Sequence, residues 1–352
     1  MNNEDLLKAF ESMKFDTNPE GMTRNSRVLL IDSLNTFIRS YCAVPTMDDS
    51  GNQIGGTTGF LKSIGSVIRK YHPTRVILVW DGKGGSQRRR QMYPEYKSNR
   101  KVATRLNRPQ DFKTDEQESE NMTEQLQILG QLIQHLPVAS IQIDGVEADD
   151  IIGYLSQHIT TKNPTSEVII YSTDKDFLQL VDSQVRVFNG AQKKMYDVDA
   201  ILEKHNAHPA NFVFYRALMG DDSDNISGVH GIGGKTAMKY LPELADPNTV
   251  VDFEYVSNKF KDQAKLPVAI QTLLNESALI ERNIQLMDLK QQQMSDNSRL
   301  IVLRIFNNET PKLNKLALTK AMAASRILSN FTGYDDWITF CILPLTRFYD
   351  TD

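Results

Sequence analysis

Val168-Ile169-Ile170-Tyr171-Ser172-Thr173-Asp174-Lys175-Asp176 decides the fold. A β-branched apolar run gives way to two small polar residues and then to two carboxylates, the pattern of a buried strand that delivers acids at its carboxyl end. The arrangement recurs upstream, where Asp32 closes the apolar run 28–31 and Asp81 closes the run 76–80. In an open parallel sheet the crevice outside the strand carboxyl ends is where ligands bind, so three distant segments are expected to bring carboxylates to one pocket. Helical periodicity lies between these runs over 57–71, 122–136 and 150–160, with further strands at 141–144, 185–189 and 194–197. Strands alternating with helices predict an α/β fold built on a central, mostly parallel sheet.

Three tighter acid clusters accompany the strand ends: Glu147-Ala148-Asp149-Asp150, Asp174-Lys175-Asp176 and Asp221-Asp222-Ser223-Asp224. Taken singly, each has a plainer explanation, because Asp174 is placed to cap the segment 175–180 and Glu147 to Asp150 open the helix that follows. Taken together they repel. Two like charges ~4 Å apart cost about 4 kcal/mol at the effective dielectric of a protein surface. Either some are protonated or divalent cations sit among them, and a ligand set made only of oxygen suits Mg²⁺ or Mn²⁺.

Composition narrows the alternatives. The chain of 352 residues is 40% apolar, enough for a substantial core, and its length suggests two domains or one with a large appendage. Only Cys42 and Cys341 are present, without metal-ligand spacing, so neither a zinc site nor a disulfide framework is expected and a reducing compartment fits. The start Met1-Asn2-Asn3-Glu4-Asp5 has no basic region before an apolar stretch, and no run approaches membrane-spanning length; a cytoplasmic protein without membrane contact is expected.

The net charge of −4 conceals a local reversal. Between Gly82 and Gln110 stand Lys83, Arg88, Arg89, Arg90, Lys97, Arg100, Lys101, Arg105 and Arg108, against the single acid Glu95, with Tyr93 and Tyr96 among the cations. Such a segment offers phosphate neutralisation together with rings for unpaired bases. It begins directly after Asp81 and reads as an insertion between a strand and its returning helix. Downstream, helices are expected over 200–205, 209–219 and 235–241, the last preceded by Gly228-Val229-His230-Gly231-Ile232-Gly233-Gly234. A glycine-rich turn ahead of Lys235 exposes backbone N–H groups to a phosphate. It is no nucleotide P-loop, since the glycine required six residues before the lysine falls on Val229 and helix, not strand, precedes it.

Ala217-Leu218-Met219-Gly220-Asp221-Asp222-Ser223-Asp224-Asn225-Ile226-Ser227 and the turn that follows resemble the signature of the 5′ nuclease superfamily, the flap endonucleases and 5′–3′ exonucleases of phages and bacteria. Tyr93-Pro94-Glu95-Tyr96-Lys97-Ser98-Asn99-Arg100, Gly145-Val146-Glu147-Ala148-Asp149-Asp150 and Ser172-Thr173-Asp174-Lys175-Asp176 resemble it too, in the family's order, over roughly 28–241. The resemblance implies a helical arch over the active site and a helix–three-turn–helix element that grips duplex DNA. It also implies an N-terminal extension 1–25, a nuclease core 26–200 with the arch inserted at about 83–120, a duplex-binding region 201–290, and a C-terminal segment 291–352 packed on the core.

Carried over by position, Asp32, Asp81, Glu147, Asp149, Asp150, Asp174, Asp176, Asp221 and Asp224 become the acids around two Mg²⁺ ions, for which Mn²⁺ substitutes. Tyr96 and Lys97 would meet the unpaired nucleotide and the scissile phosphate, with Arg100 supporting them. Arg88, Arg89, Arg90, Tyr93 and Lys101 would contact DNA; either Arg88 or Arg89 matches the family's arginine. Gly231, Gly233, Gly234 and Lys235 would hold a duplex phosphate, with K⁺ at the same turn. Two usual proline positions of that turn are Ser227 and His230, and Asp222 falls outside the family pattern. The implied substrates are DNA with a 5′ flap or 5′ end and RNA–DNA primer hybrids. The implied setting is a monomer beside replication proteins in a bacterial cell or phage-infected host. A phosphatase of the haloacid dehalogenase type would want a second acid two positions after Asp32, where Leu34 stands. A PIN-like ribonuclease would not need the glycine-rich turn, and an inactive DNA-binding scaffold would not need the acids.

Overall fold

The computed structural model describes residues 21–99, 112 and 114–349; Arg100, Lys101 and most of the expected extension 1–25 lie outside the described residues. Strands β1 (Arg27–Asp32), β2 (Arg75–Trp80), β3 (Ala139–Gln142), β4 (Glu167–Tyr171), β5 (Val185–Asn189) and β6 (Lys194–Tyr196) form one sheet in the order β3-β2-β1-β4-β5-β6. All neighbours are parallel except β6, which pairs antiparallel with β5. Ile31 lies opposite both Leu78 and Tyr171, so β1, β2 and β4 end level with one another. Strand order reverses on either side of β1, which creates the switch-point crevice of doubly wound sheets between β1 and β4.

Side chains alternate between two apolar layers, as period-2 strands require. Leu29, Ile31, Val76, Leu78 and Ile169 face one way, and Val28, Leu30, Ile77, Val79 and Ile170 the other. The first layer packs under α1 (Ser33–Ala43), α2 (Gly55–Tyr71) and, beyond the short α3 (Gln87–Met92), α4 (Asp115–Ile133). Thr114 caps α4 by accepting the Gln117 N–H, with Asp115, Glu116 and Glu118 in the first turn where the helix dipole favours anions. The C-terminal residues join this layer through Leu318, Met322, Trp337, Ile338 and Ile342, and the Trp337 indole donates to the Leu61 carbonyl at 2.9 Å.

The second layer packs under α5 (Ala148–Lys162) and the helical region α6 (Val198–His205), α7 (Phe212–Met219), α8 (Gly234–Tyr240), α9 (Phe253–Phe260), α10 (Val268–Asn275), α11 (Ser277–Met287) and α12 (Asp296–Asn307). Between α7 and α8 the chain makes a small antiparallel ribbon of β7 (Gly220–Asp221) and β8 (Ile226–Ser227). Its two sides approach too closely for side chains. A Cβ on Gly220, whose φ is +71°, would stand 2.4 Å from the Gly228 nitrogen, and one on Gly228 would stand 2.5 Å from the Leu218 carbonyl oxygen. The fully buried Asn283 on α11 pins this junction by donating to the Ala217 and Ser227 carbonyls at 2.9 and 2.8 Å. Among the described residues no helix is long and apolar enough to cross a membrane.

Candidate active site

A cleft of about 1070 Å³ opens at the carboxyl ends of β1, β2 and β4, lined by Asp32, Asp81, Asp149, Asp174 and Asp221 together with Lys97 and Arg216. Each acid arrives on a different element, as the sequence pattern required. Ser172 links two of them: its hydroxyl donates to Asp32 at 2.8 Å and accepts the Asp174 N–H at 3.0 Å. Asp81 accepts the Ala148 N–H at 3.0 Å, which ties the end of β2 to the start of α5. Asp174 accepts the Asp176 N–H at 2.8 Å, so it caps its turn with one oxygen while also lining the cleft.

Glu147, Asp150 and Asp176 stand in the walls and are held by cations. Glu147 occupies the N-cap position of α5 yet caps nothing; its carboxylate receives Arg89, Lys97 and the Tyr96 hydroxyl instead. Arg89 also donates to Asp150 at 2.9 and 3.2 Å and to the Leu286 carbonyl at 2.9 Å. On the opposite wall Arg216 donates to Asp176 at 2.8 Å, to the Gly220 carbonyl at 3.1 Å and to Asp221. Asp224 contributes its carbonyl to the Lys97 N–H at 2.9 Å.

Charge crowding follows from this arrangement. Burial, with the Asp176 charge behind it, pushes Asp174 up to about 8. Asp32 is raised to about 6 by burial, which the Ser172 hydroxyl only partly offsets. Asp149 and Asp176 are also raised, chiefly by burial and against the pull of Arg89 and Arg216 respectively. Glu147 and Asp221 go the other way: burial works to raise both, but Arg89 and Lys97 outweigh it at Glu147, and Ser223 and Arg216 do so at Asp221.

Among the described residues no three histidine, cysteine or acidic side chains converge closely enough to grip an ion as they stand. The donor set nevertheless fits a hard divalent cation, because it is all oxygen and because Asp32, Asp149 and Asp174 are each raised by burial and by the charges of neighbouring acids, a crowding that a cation would relieve.

Two of the expected DNA-contacting residues lie away from solvent. Arg89 is 2% exposed, because Glu147, Asp149 and Asp150 bind its guanidinium; Arg88 and Arg90 on the same short helix are exposed. Tyr96 is 2% exposed, its ring packed with Ile226, Leu286 and Met287. Tyr93 is partly exposed, with Arg282 over its ring at 4.2 Å. Gly231, Gly233 and Lys235 are exposed at the start of α8, with Gly234 half-buried. Sequence reasoning missed Arg216, whose only signal was a cation one helical turn ahead of Gly220-Asp221, and it missed Ser172 and Asn283.

Models of two consecutive domains match the chain: the N-terminal, resolvase-like domain of 5′–3′ exonucleases over residues 27–206 and their C-terminal, SAM-fold domain over 207–298. A 5′–3′ exonuclease of Buchnera aphidicola is 29% identical over 246 residues, covering 70% of this chain and 78% of the relative. The DNA polymerase I of Lactococcus lactis is 32% identical over 232 residues, 63% of this chain but 25% of the polymerase. Among solved structures, the flap endonuclease of bacteriophage T5 in complex with DNA and metal ions aligns over 87% of this chain and 99% of its own, with a TM-score of 0.59 at 24% identity.

Proposed function

This chain belongs to the 5′–3′ exonuclease family, matched over 27–298, and is a metal-dependent 5′ nuclease; from that premise we infer a structure-specific enzyme that hydrolyses phosphodiesters at 5′ flaps and 5′ ends. The observation that carries this reading is the shared cleft, in which Asp32, Asp81, Asp149, Asp174 and Asp221 face Lys97 across a space wide enough for a phosphodiester. Two Mg²⁺ ions, or Mn²⁺ in their place, would be held by Asp32, Asp149, Asp174 and Asp221, with the remaining acids acting through water, and would supply an activated water and stabilise the attacking and leaving oxygens.

The chain's own residues do the rest. Lys97 reaches the cleft from the arch base and would leave Glu147 for the phosphate, adding charge where it builds up in the transition state. Arg89 would stay on Asp150 and Glu147, keeping the arch base anchored while Lys97 moves. Gly231, Gly233, Gly234 and Lys235 would hold a duplex phosphate, with K⁺ at that turn, so that the cleaved bond lies at a fixed distance from the duplex. Exposed Arg88 and Arg90, with Arg100 and Lys101, would draw the single-stranded arm toward the cleft. Residues 26–200 would then be the nuclease unit and 201–290 the duplex grip of a cytoplasmic monomer that acts in DNA replication or repair, on RNA–DNA primer hybrids as well as DNA.

Mg²⁺-dependent cleavage of an end-labelled 5′-flap DNA, beside matched single-stranded, nicked and RNA-primed substrates, tests the reading. Cleavage at the flap junction supports it. Cleavage of single-stranded RNA alone would favour a PIN-like ribonuclease, and tight binding without product would favour a scaffold.

A further inference from the structure

The acid cleft continues sideways. A second cleft of about 710 Å³ opens along the β2–β3 edge of the sheet beneath α4, and Leu34 and Asp81 line both spaces. Its walls are Trp80, Leu126, Gly130 and Ile133, with Gln134 among the polar groups, and among the described residues neither lysine nor arginine lines it. A phosphate would therefore meet the like charge of Asp81 with no cation among the described lining residues to offset it, whereas an uncharged planar group would meet apolar surface and a few hydrogen-bonding side chains.

Two features are built for such a group. Trp80 is fixed on both sides of its function: its ring stacks on Phe60 at 5.8 Å and 24°, and its Nε1 donates to Ser140 at 3.1 Å. Gly130 sits inside α4, where glycine weakens a helix. Packing among the described residues does not demand it, because none of their atoms lies within 4 Å of where its Cβ would stand. What the missing side chain leaves is open space in the wall of the cleft.

We propose that this side cleft seats a nucleobase of the strand whose phosphate lies at the acid cleft, stacked against Trp80 beneath Gly130. The proposal rests on the acid cleft being the site of cleavage. Aromatic stacking is tolerant of base identity, so the seat would fix the position of the cut without reading sequence.

The test is single-turnover cleavage of 5′-flap DNA carrying an abasic site at successive positions around the scissile bond, by the wild-type chain and by Gly130→Leu, with the circular dichroism spectrum and the duplex affinity of Gly130→Leu as the folding control. One abasic position is expected to slow the wild type by about tenfold, within the range of base–aromatic stacking. Gly130→Leu should cleave intact DNA about tenfold more slowly and be indifferent to that abasic position, while its circular dichroism spectrum and duplex affinity match those of the wild type. An adenine analogue, 2-aminopurine, at the sensitive position should change fluorescence on binding in the absence of Mg²⁺, and Gly130→Leu should abolish the change. Equal rates at every abasic position, or losses from Gly130→Leu and the abasic site that multiply, would overturn the seat. Failure of the wild type to cut intact DNA would instead overturn the assignment of the acid cleft.

Discussion

The Lys97 N–H donates to the Asp224 carbonyl at 2.9 Å, joining the segment that follows α3 to the ribbon that leads into the glycine-rich turn. The joint is reinforced. Asn99 donates to the Asp222 carbonyl at 2.8 Å, and Asn225 donates to the Glu95 carbonyl at 3.0 Å and to Ser98 at 3.1 Å. Lys97 and Asn225 both adopt positive φ, at 56° and 58°, a conformation that side chains other than asparagine and glycine enter at a cost. The side chain expected at the phosphate is thus held by the same turn that carries Asp221 and Asp224.

Asn225→Gly removes the stitching amide while keeping a backbone that tolerates positive φ. Single-turnover cleavage is expected to fall on the order of 10-fold to 100-fold, the scale at which misplacement of a catalytic group acts, with duplex affinity within about twofold of wild type. In a Lys97→Ala background the further loss should shrink. Independent losses in the double variant would mean that the stitch does not act through Lys97.

Lys97→Ala itself should lower the single-turnover rate by ~10²–10³, the usual effect of removing one transition-state donor, with little change in duplex binding. Asp174→Ala should abolish cleavage with binding retained; turnover at saturating Mg²⁺ would show that Asp174 is not required.

The strand ends were legible because parallel strands buried on both faces spell unbroken apolar runs, and Asp32, Asp81 and Asp174 follow such runs directly. Helix α1 was not. Its sequence places Thr36 and Ser40 on the buried side, where their hydroxyls donate to the Asp32 and Thr36 carbonyls at 2.8 Å, so polar residues interrupt the 3.6-residue apolar period. Helix α3 is six residues long with three consecutive arginines, too short for any period to emerge. Nor does sequence distinguish Arg89 from Arg88 and Arg90: only the fold shows which guanidinium turns toward Asp150. Arg216 escaped for the same reason, since a charge pair between α7 and the turn after β4 is a contact across 40 residues.

Arg216 is the cation of the outer wall, 6% exposed and bound to Asp176 and Asp221. Arg216→Gln leaves two carboxylates without their partner, and breaking a buried pair in this way typically costs ~3–5 kcal/mol. The metal-free variant should melt several degrees below wild type. Millimolar Mg²⁺ should raise its melting temperature more than it raises that of the wild type, because a divalent cation replaces the missing charge. Equal increments in the two proteins would place the ion away from the outer wall.

Metal-free stability should fall as pH rises. A carboxyl whose pKa is higher in the folded than in the unfolded chain holds its proton more tightly when folded, so its stabilising effect is complete below the unfolded value and lost as pH climbs through the folded one. Asp32 at about 6 and Asp174 at about 8 set the window, from near pH 4 to above pH 8. For Asp32 alone the cost of carrying the charge in the fold is on the order of 3 kcal/mol. Asp176 and Asp149 are raised as well and act in the same direction, whereas Glu147 and Asp221 are lowered and lose their contribution only as pH falls through the acid range. Melting temperature in EDTA should therefore decline between pH 5 and pH 8.5, and Mg²⁺ should flatten the decline, since a bound cation favours the ionised forms. Asp174→Asn, which cannot ionise, should show a shallower decline in EDTA. A wild-type profile that rises across this range, or a variant profile with the wild-type slope, would mean that the crowded acids of the cleft do not govern the stability of the apoprotein.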